Sequence, residues 1–336
     1  MRKKGIVGVI IIFLFGLSMI ISVPIIILST GFSSYITLEH FESHEYTPIN
    51  SYDIEELHLN VDVGNIEITY SYAPVDYHVK IELNIEMSGK NLIGEKYTDF
   101  LSVDWGNTST IPTFTLKLLS DSWFDALIWI NQNVSITITL NANILFDINT
   151  TINKEGNVGL YVPFGIHINN VAVDISSGNI LYDFSYCTTK GNITGYVNFG
   201  DIKLKANNVR YTRNNIWDLT NNDGEIIFNI IQDRDMGANI TGTGETNIGA
   251  IRVIYRDSSP DIGARFTFHN YSGGWGGVYN TWVGFPENPE SFYDFPDVGY
   301  IFKSNDFPAK NHFNISLFKN KDFGEYSVNL SSIPFS

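Results

Sequence analysis

From Leu57 onward apolar and polar residues alternate with a period of two, the pattern of strands with one buried face. Leu57, Leu59, Val61 and Val63 lead to Gly64-Asn65, and Ile66, Ile68 and Tyr70 leave it, a hairpin signature. Every second residue from Tyr77 to Met87 is apolar. Phe114, Leu116 and Leu118 predict another strand, with Val134, Ile136, Ile138 and Leu140 as its partner. Residues 88–112 are less regular. Then one phrase recurs: an apolar strand, Gly, a polar residue or Ala, and Ile or Val. It reads Gly156-Asn157-Val158, Gly178-Asn179-Ile180, Gly200-Asp201-Ile202, Gly224-Glu225-Ile226 and Gly249-Ala250-Ile251, at intervals of 22, 22, 24 and 25 residues. Gly64-Asn65-Ile66 is an earlier copy, and Gly191-Asn192-Ile193 an offset one.

A unit with one apolar face cannot bury it alone, so neighbouring units must stack and share a core. The phrase therefore predicts an all-β, β-solenoid or β-helix-like repeat. Gly permits a positive φ or a close pass of the next coil. The polar residue is expected to face water, and the Ile or Val to stack on its counterpart one coil away. Scattered packing of those apolar residues would contradict this reading.

The flanks differ. Residues 5–30 carry no charge and follow Arg2-Lys3-Lys4. As a helix, 6–29 would reach about 36 Å, enough for a bilayer core of about 30 Å with tilt. The basic cluster holds the N-terminus in the cytoplasm and sends the remainder outside. A cleaved signal peptide is the alternative, but its apolar core is usually only about 7–15 residues. Residues 31–52 read as a juxtamembrane stalk. Residues 121–130 are unusually apolar and read as a flap over a sheet edge. In 258–312, Pro260, Pro286, Pro289, Pro296 and Pro308 accompany a crowd of aromatics, and this segment reads as a cap. The stretches 314–319 and 326–330, separated by Gly324, read as a closing hairpin. The expected organisation is a cytoplasmic stub (1–4), a signal-anchor (5–30), the stalk (31–52), an N-terminal β region (53–150), the repeat region (151–257) and the cap with the closing hairpin (258–336).

Composition supports the β reading. Aromatics make up 14% of the chain and charged residues only 17%, against about 25% in an average soluble protein. The net charge is −15, and every acidic residue lies beyond the first thirty positions. An acidic exterior repels phosphate backbones, which argues against nucleic acid as a partner. The single cysteine, Cys187, forms no intramolecular disulfide and is expected as a small buried residue in a strand. Eight Asn-x-Ser/Thr sequons start at Asn107, Asn133, Asn149, Asn192, Asn239, Asn270, Asn314 and Asn329, matching glycosylation of an exported surface.

Candidate chemistry is sparse. No P-loop, dinucleotide fingerprint, nucleophile elbow or metalloprotease helix is present. His40 and His44 would share a helix face, but the pair reads as part of a polar linker. Asp233-Arg234-Asp235 and Asn221-Asn222-Asp223 have oxygen ligands without calcium-loop spacing, and read as solvated turns. Asp174, Asp183, Asp201, Lys203 and Lys205 would be the acids and bases of a carbohydrate-active enzyme on a β-helix, the alternative function. No catalytic, cofactor or metal site is assigned.

The phrases VAVDISSGNILYDF (171–184), GYVNFGDIKLKA (195–206) and LTNNDGEIIFNI (219–230), with LHLNVDVGNIEITY at 57–70, resemble the DUF4097-like adhesin β-repeat proteins. The resemblance covers about 55–255, with 80–150 departing as an insertion or separate sheet. It implies a surface-associated solenoid-like domain and supplies no catalytic residues. Repeat and resemblance together lead to the expectation of a membrane-anchored extracellular module whose partners are the bilayer, through 5–30, and a cell-surface protein or glycan.

Overall fold

The computed structural model describes residues 35–48, 54–90, 92, 94–106, 112–119, 130–270, 277–281, 290–294, 297–320 and 326–332. The expected anchor at 5–30, the aromatic stretch 121–129, most of the glycine-rich turn at 272–277 and the sequon at Asn107 lie outside them. Among the described residues the regular structure is β, apart from one 3-10 turn at Tyr97–Asp99. They fall into two compact units. The smaller one, in its described part, is drawn from 35–40, 85–100 and 130–133, where His40 stacks on Tyr97. The larger unit takes in Phe41–Asn84, Leu101–Leu119 and Val134–Ser336, and it holds the repeat.

The repeat builds coils. Val171–Ser177 runs to Gly178, Ile180–Ser185 leaves it, the chain turns at Tyr186, and Thr188–Thr189 leads to the next strand at Ile193–Phe199. Each coil places one strand in a first sheet, which holds Ile180–Ser185, and one in a second, which holds Val171–Ser177 and Ile193–Phe199; three of the coils add a short strand, such as Thr188–Thr189, to a third sheet. Successive coils pair in parallel, in register, at the repeat interval: Ile180 with Ile202, Ile202 with Ile226, Ile226 with Ile251. The apolar residues after each glycine thus form the expected column of Ile66, Val158, Ile180, Ile202, Ile226 and Ile251, all buried. Opposite stand the inward residues of the second sheet, among them Val171, Ile193 and Trp217. Ring contacts fill the core near its C-terminal end: Phe313 lies 5.7 Å from Trp217 and 5.8 Å from Tyr255, centroid to centroid.

The glycines form a column of their own. A Cβ at Gly156, Gly178, Gly200, Gly224 or Gly249 would lie 1.9, 1.6, 1.8, 2.0 or 1.8 Å from the carbonyl oxygen of the preceding corner glycine, beginning with Gly64. Close approach of the next backbone is therefore what requires Gly, and at Gly178 and Gly200 φ is also positive, 136° and 132°. The polar residue after each glycine does more than face water. Asn157 Nδ2 donates to Asn65 Oδ1 (2.7 Å), and Asn179 N–H to Asn157 Oδ1 (2.9 Å). Asp201 N–H donates to Asn179 Oδ1 (2.9 Å), and Glu225 N–H to Asp201 Oδ1 (2.7 Å). A side-chain ladder thus ties each coil to the next. The offset phrase at Gly191 marks another corner with its own ladder, where Asn192 N–H donates to Asn170 Oδ1 (2.9 Å).

Four expectations are corrected. Residues 35–46 are a strand, Tyr35–Tyr46, where a stalk was expected. The segment 80–150 is no separate sheet: Thr113–Leu118 pairs in parallel with Glu55–Val63, and Ile130–Asn141 with Asn65–Ser71. Glu55–Val63 and Asn65–Ser71 are likewise no hairpin, since they lie in different sheets. The same holds for the closing hairpin. Asn311–Lys319 and Tyr326–Ser332 occupy different sheets, because both are apolar on one face and pair with strands already present. Asn311–Lys319 is inserted between Ile240–Ile248 and Ile262–Asn270, and Tyr326–Ser332 between Ile251–Asp257 and Gly277–Thr281. The last two strands of the chain are thus inserted between strands that precede them in sequence.

Candidate functional site

Strand alternation fixes what the coils present outward. On the second sheet, in-register pairing lines up Asn149, Ala172, Thr194, Asp218, Thr243 and Ser316 in one row. Thr151, Asp174, Tyr196, Thr220, Glu245 and Phe318 form the next. A shallow depression of about 440 Å³ lies on this face, lined by Asn149, Thr151, Asp174, Thr194, Tyr196, Asp218 and Thr220 among others. Two of its carboxylates, Asp174 and Asp218, are two strands apart and two residues along, about 12 Å between backbones. Asp218 also accepts from Thr243 Oγ1 at 2.6 Å. The face is largely polar, with Tyr196 (41%) and Ile216 (52%) as exposed apolar-bearing side chains.

A second depression, about 540 Å³, lies at the corner after the first sheet. Its lining is Tyr186, Asn208, Asp233, Arg234, Arg256, Asp257 and Ser258, drawn from four coils. Asp233 accepts from Arg256 Nη2 (3.2 Å) and Ser258 Oγ (2.7 Å), while its N–H donates to Asn208 Oδ1 (2.8 Å). Asp257 is buried and accepts from the Tyr255 hydroxyl. The Arg234 guanidinium lies 4.9 Å over the Tyr186 ring, and among the described residues no carboxylate pairs with it. A third depression, about 500 Å³, is lined by Asn143, His167 and Lys190 among others.

The proposed enzyme residues do not converge. Asp174 is on the second sheet; Asp183, Lys203 and Lys205 are on the first, where Lys205 Nζ pairs with Asp183 at 2.9 Å; Asp201 belongs to the glycine-corner ladder. His40 and His44 lie on a strand rather than a helix, and His44 stacks on Trp105. Asn221 and Asn222 are strand residues, not a solvated turn: Asn221 is buried, Thr246 Oγ1 donates to its Oδ1 (2.6 Å), and Asn247 Nδ2 donates to Asn222 Oδ1 (2.8 Å). Cys187 is buried as expected, but at a corner rather than in a strand, and burial pushes its thiol up to about 12. Of the sequons, Asn133 and Asn149 are exposed, whereas Asn192 Oδ1 accepts from Ile216 N–H (3.0 Å) and Asn239 Oδ1 from His312 N–H (3.0 Å). Asn314 is half-buried; the side chains of Asn270 and Asn329 lie outside the described part of the chain.

Neither a protein-family model nor a curated protein sequence matches the chain. Several solved structures are similar to it. A candidate cell adhesion protein from Clostridium sporogenes shares 12% identity over 88% of this chain and 99% of its own, with a TM-score of 0.35. A candidate lipid-binding protein from Parabacteroides distasonis shares 13% over 86% and 96%, with a TM-score of 0.37. A candidate adhesin from Bacteroides fragilis shares 12% over 88% and 97%, with a TM-score of 0.29. Scores of this size leave these likenesses without bearing on function.

Proposed function

We propose that this chain is a membrane-anchored extracellular β-solenoid that serves as a cell-surface interaction module. The single observation that supports it most is the outward face of the second sheet, where two in-register rows of Thr, Asn, Asp and Tyr side chains cross successive coils. Parallel pairing at the repeat interval supports the solenoid. The charge-free stretch 5–30 after Arg2-Lys3-Lys4 supports the anchor and the outward orientation; among the described residues no helix is long and apolar enough to cross a membrane, and 5–30 lies outside them. A rigid ladder of short polar side chains with an exposed ring suits a hydroxyl-rich ligand, which it meets by hydrogen bonds and ring stacking at little ordering cost. The partner this face fits is a glycan of another surface.

The full chain reconstituted in vesicles and laid over an immobilised glycan array tests the reading. Retention on at least one glycan, weakened at least tenfold by Tyr196→Ala, is expected. No retention, or retention indifferent to that substitution, contradicts it.

A further inference from the structure

The corner cleft carries an inference independent of the sheet face. Three successive coils pass this corner through a left-handed residue: Gly165 (φ 77°), Tyr186 (φ 53°) and Asn208 (φ 52°). Gly adopts that conformation freely and Asn readily, but a bulky side chain there is strained. Tyr186 is therefore the locally disfavoured choice, and its ring is not spent on the core, being 38% exposed. Arg234 lies over the ring, 4.9 Å from its centroid, without a carboxylate partner among the described residues. Arg256 pairs with Asp233, yet its side chain remains 58% exposed, with donors to spare. The same corner continues N-terminally with two more exposed rings, Phe164 (70%) and Tyr72 (60%), joined by a bond from the Tyr72 hydroxyl to the Phe164 carbonyl. In a chain of net charge −15, two guanidinium groups open on one cleft beside a row of rings; the lining also holds Asp233, paired with Arg256, and the buried Asp257, which leaves Arg234 as the cation without a carboxylate partner among the described residues.

We propose that this cleft binds the carboxylate of an acidic sugar residue, with the saccharide chain laid along the corner. Arg234 and Arg256 take the carboxylate, since a guanidinium fork matches its geometry. Tyr186 takes the apolar face of the same sugar, and Phe164 and Tyr72 take the residues beyond. Strands repeat every ~4.8 Å along the stack, a step comparable to the length of a pyranose ring. The volume of about 540 Å³ suits a saccharide unit.

The test is titration of the full chain in lipid nanodiscs with a short oligogalacturonate, its methyl ester, a sialylated oligosaccharide and inorganic phosphate. Binding of at least one acidic oligosaccharide is expected, weakened tenfold or more by Arg234→Ala and unchanged by Lys203→Ala on the first sheet. The ester should bind at least tenfold more weakly than the acid. Tyr186→Gly separates recognition from folding: it should lose affinity tenfold while melting at or above the parent temperature, because Gly relieves the left-handed strain. Equal binding of acid and ester, phosphate competing as well as the sugars, no binding of either acidic oligosaccharide, or an indifferent Arg234→Ala would each overturn the proposal. These outcomes are read at the cleft, so they are distinguishable from the fate of the sheet face, which is tested through Tyr196.

Discussion

At the scale of the residue, glycine does the most specific work, and for a reason that spacing alone does not reveal. The interval predicts a corner; the structure adds that a Cβ at Gly200 would lie 1.8 Å from the Gly178 carbonyl oxygen. Gly200→Ala should therefore destabilise the chain by at least about 3 kcal/mol, read as a lowered denaturant midpoint. Gly165 is the contrast. It also has positive φ, but nothing lies within 4 Å of its added Cβ, so Gly165→Asn should stay within about 0.5 kcal/mol of the parent. Cys187 and the buried tyrosines make a pH prediction. Burial raises its thiol from 9.0 to about 12, and raises the phenols of Tyr70, Tyr182, Tyr211 and Tyr255 as well. The folded state then holds these protons longer than the unfolded chain. The stability they contribute is intact below pH 9 and is lost as pH rises toward 12. Each pH unit removes about 1.4 kcal/mol through Cys187, and the tyrosines add to the loss from about pH 10 upward. Denaturation midpoints measured between pH 8 and 11 should fall monotonically, and at pH 8 a thiol reagent should label Cys187 only as fast as the chain opens.

At the scale of the element, what was legible was what repeats at short range. The Gly and Ile columns follow from intervals of 22 to 25 residues, and the structure places them as expected. Asn157 and Asn179 face water as expected, but their ladder was not legible, because only in-register stacking turns them into partners. Asn179→Ala should cost about 1–2 kcal/mol, since it removes the acceptor of Asp201 N–H. Asp201→Asn keeps an acceptor for Glu225 N–H and should be close to neutral. The inserted strands Asn311–Lys319 and Tyr326–Ser332 had no signature in sequence. Asn311–Lys319 pairs with Ile240–Ile248, and no periodicity spans a gap of that length. Phe313, near the C-terminus, consequently packs in the core against Trp217 and Tyr255. Phe313→Ala should destabilise by about 3–5 kcal/mol in equilibrium unfolding, an effect a terminal hairpin would not show.

At the scale of the whole molecule, the inward Gly and Ile positions repeat at a near-constant interval and the outward ones do not. That is why the all-β repeat could be read while the candidate surfaces could not. Tyr186, Asn208, Arg234 and Arg256 stand in four different coils, and the left-handed backbone at Tyr186 leaves no mark in the sequence. The orientation proposed from 5–30 makes its own prediction. Protease added outside intact cells should digest the portion after residue 30 and spare an N-terminal tag.

All of these surfaces depend on one register, in which each coil lies directly over its predecessor. Cysteine pairing tests it most directly. In a Cys187→Ala background, Asp183→Cys with Lys205→Cys places both thiols on paired outward positions of neighbouring strands, within the backbone separation of about 4.4–6.8 Å that a disulfide accepts. Rapid oxidation of this pair is expected, with Asp183→Cys and Leu204→Cys remaining unlinked because they point to opposite faces. Linkage of the shifted pair, or failure of the in-register one, would contradict the stack of coils and the faces proposed on it.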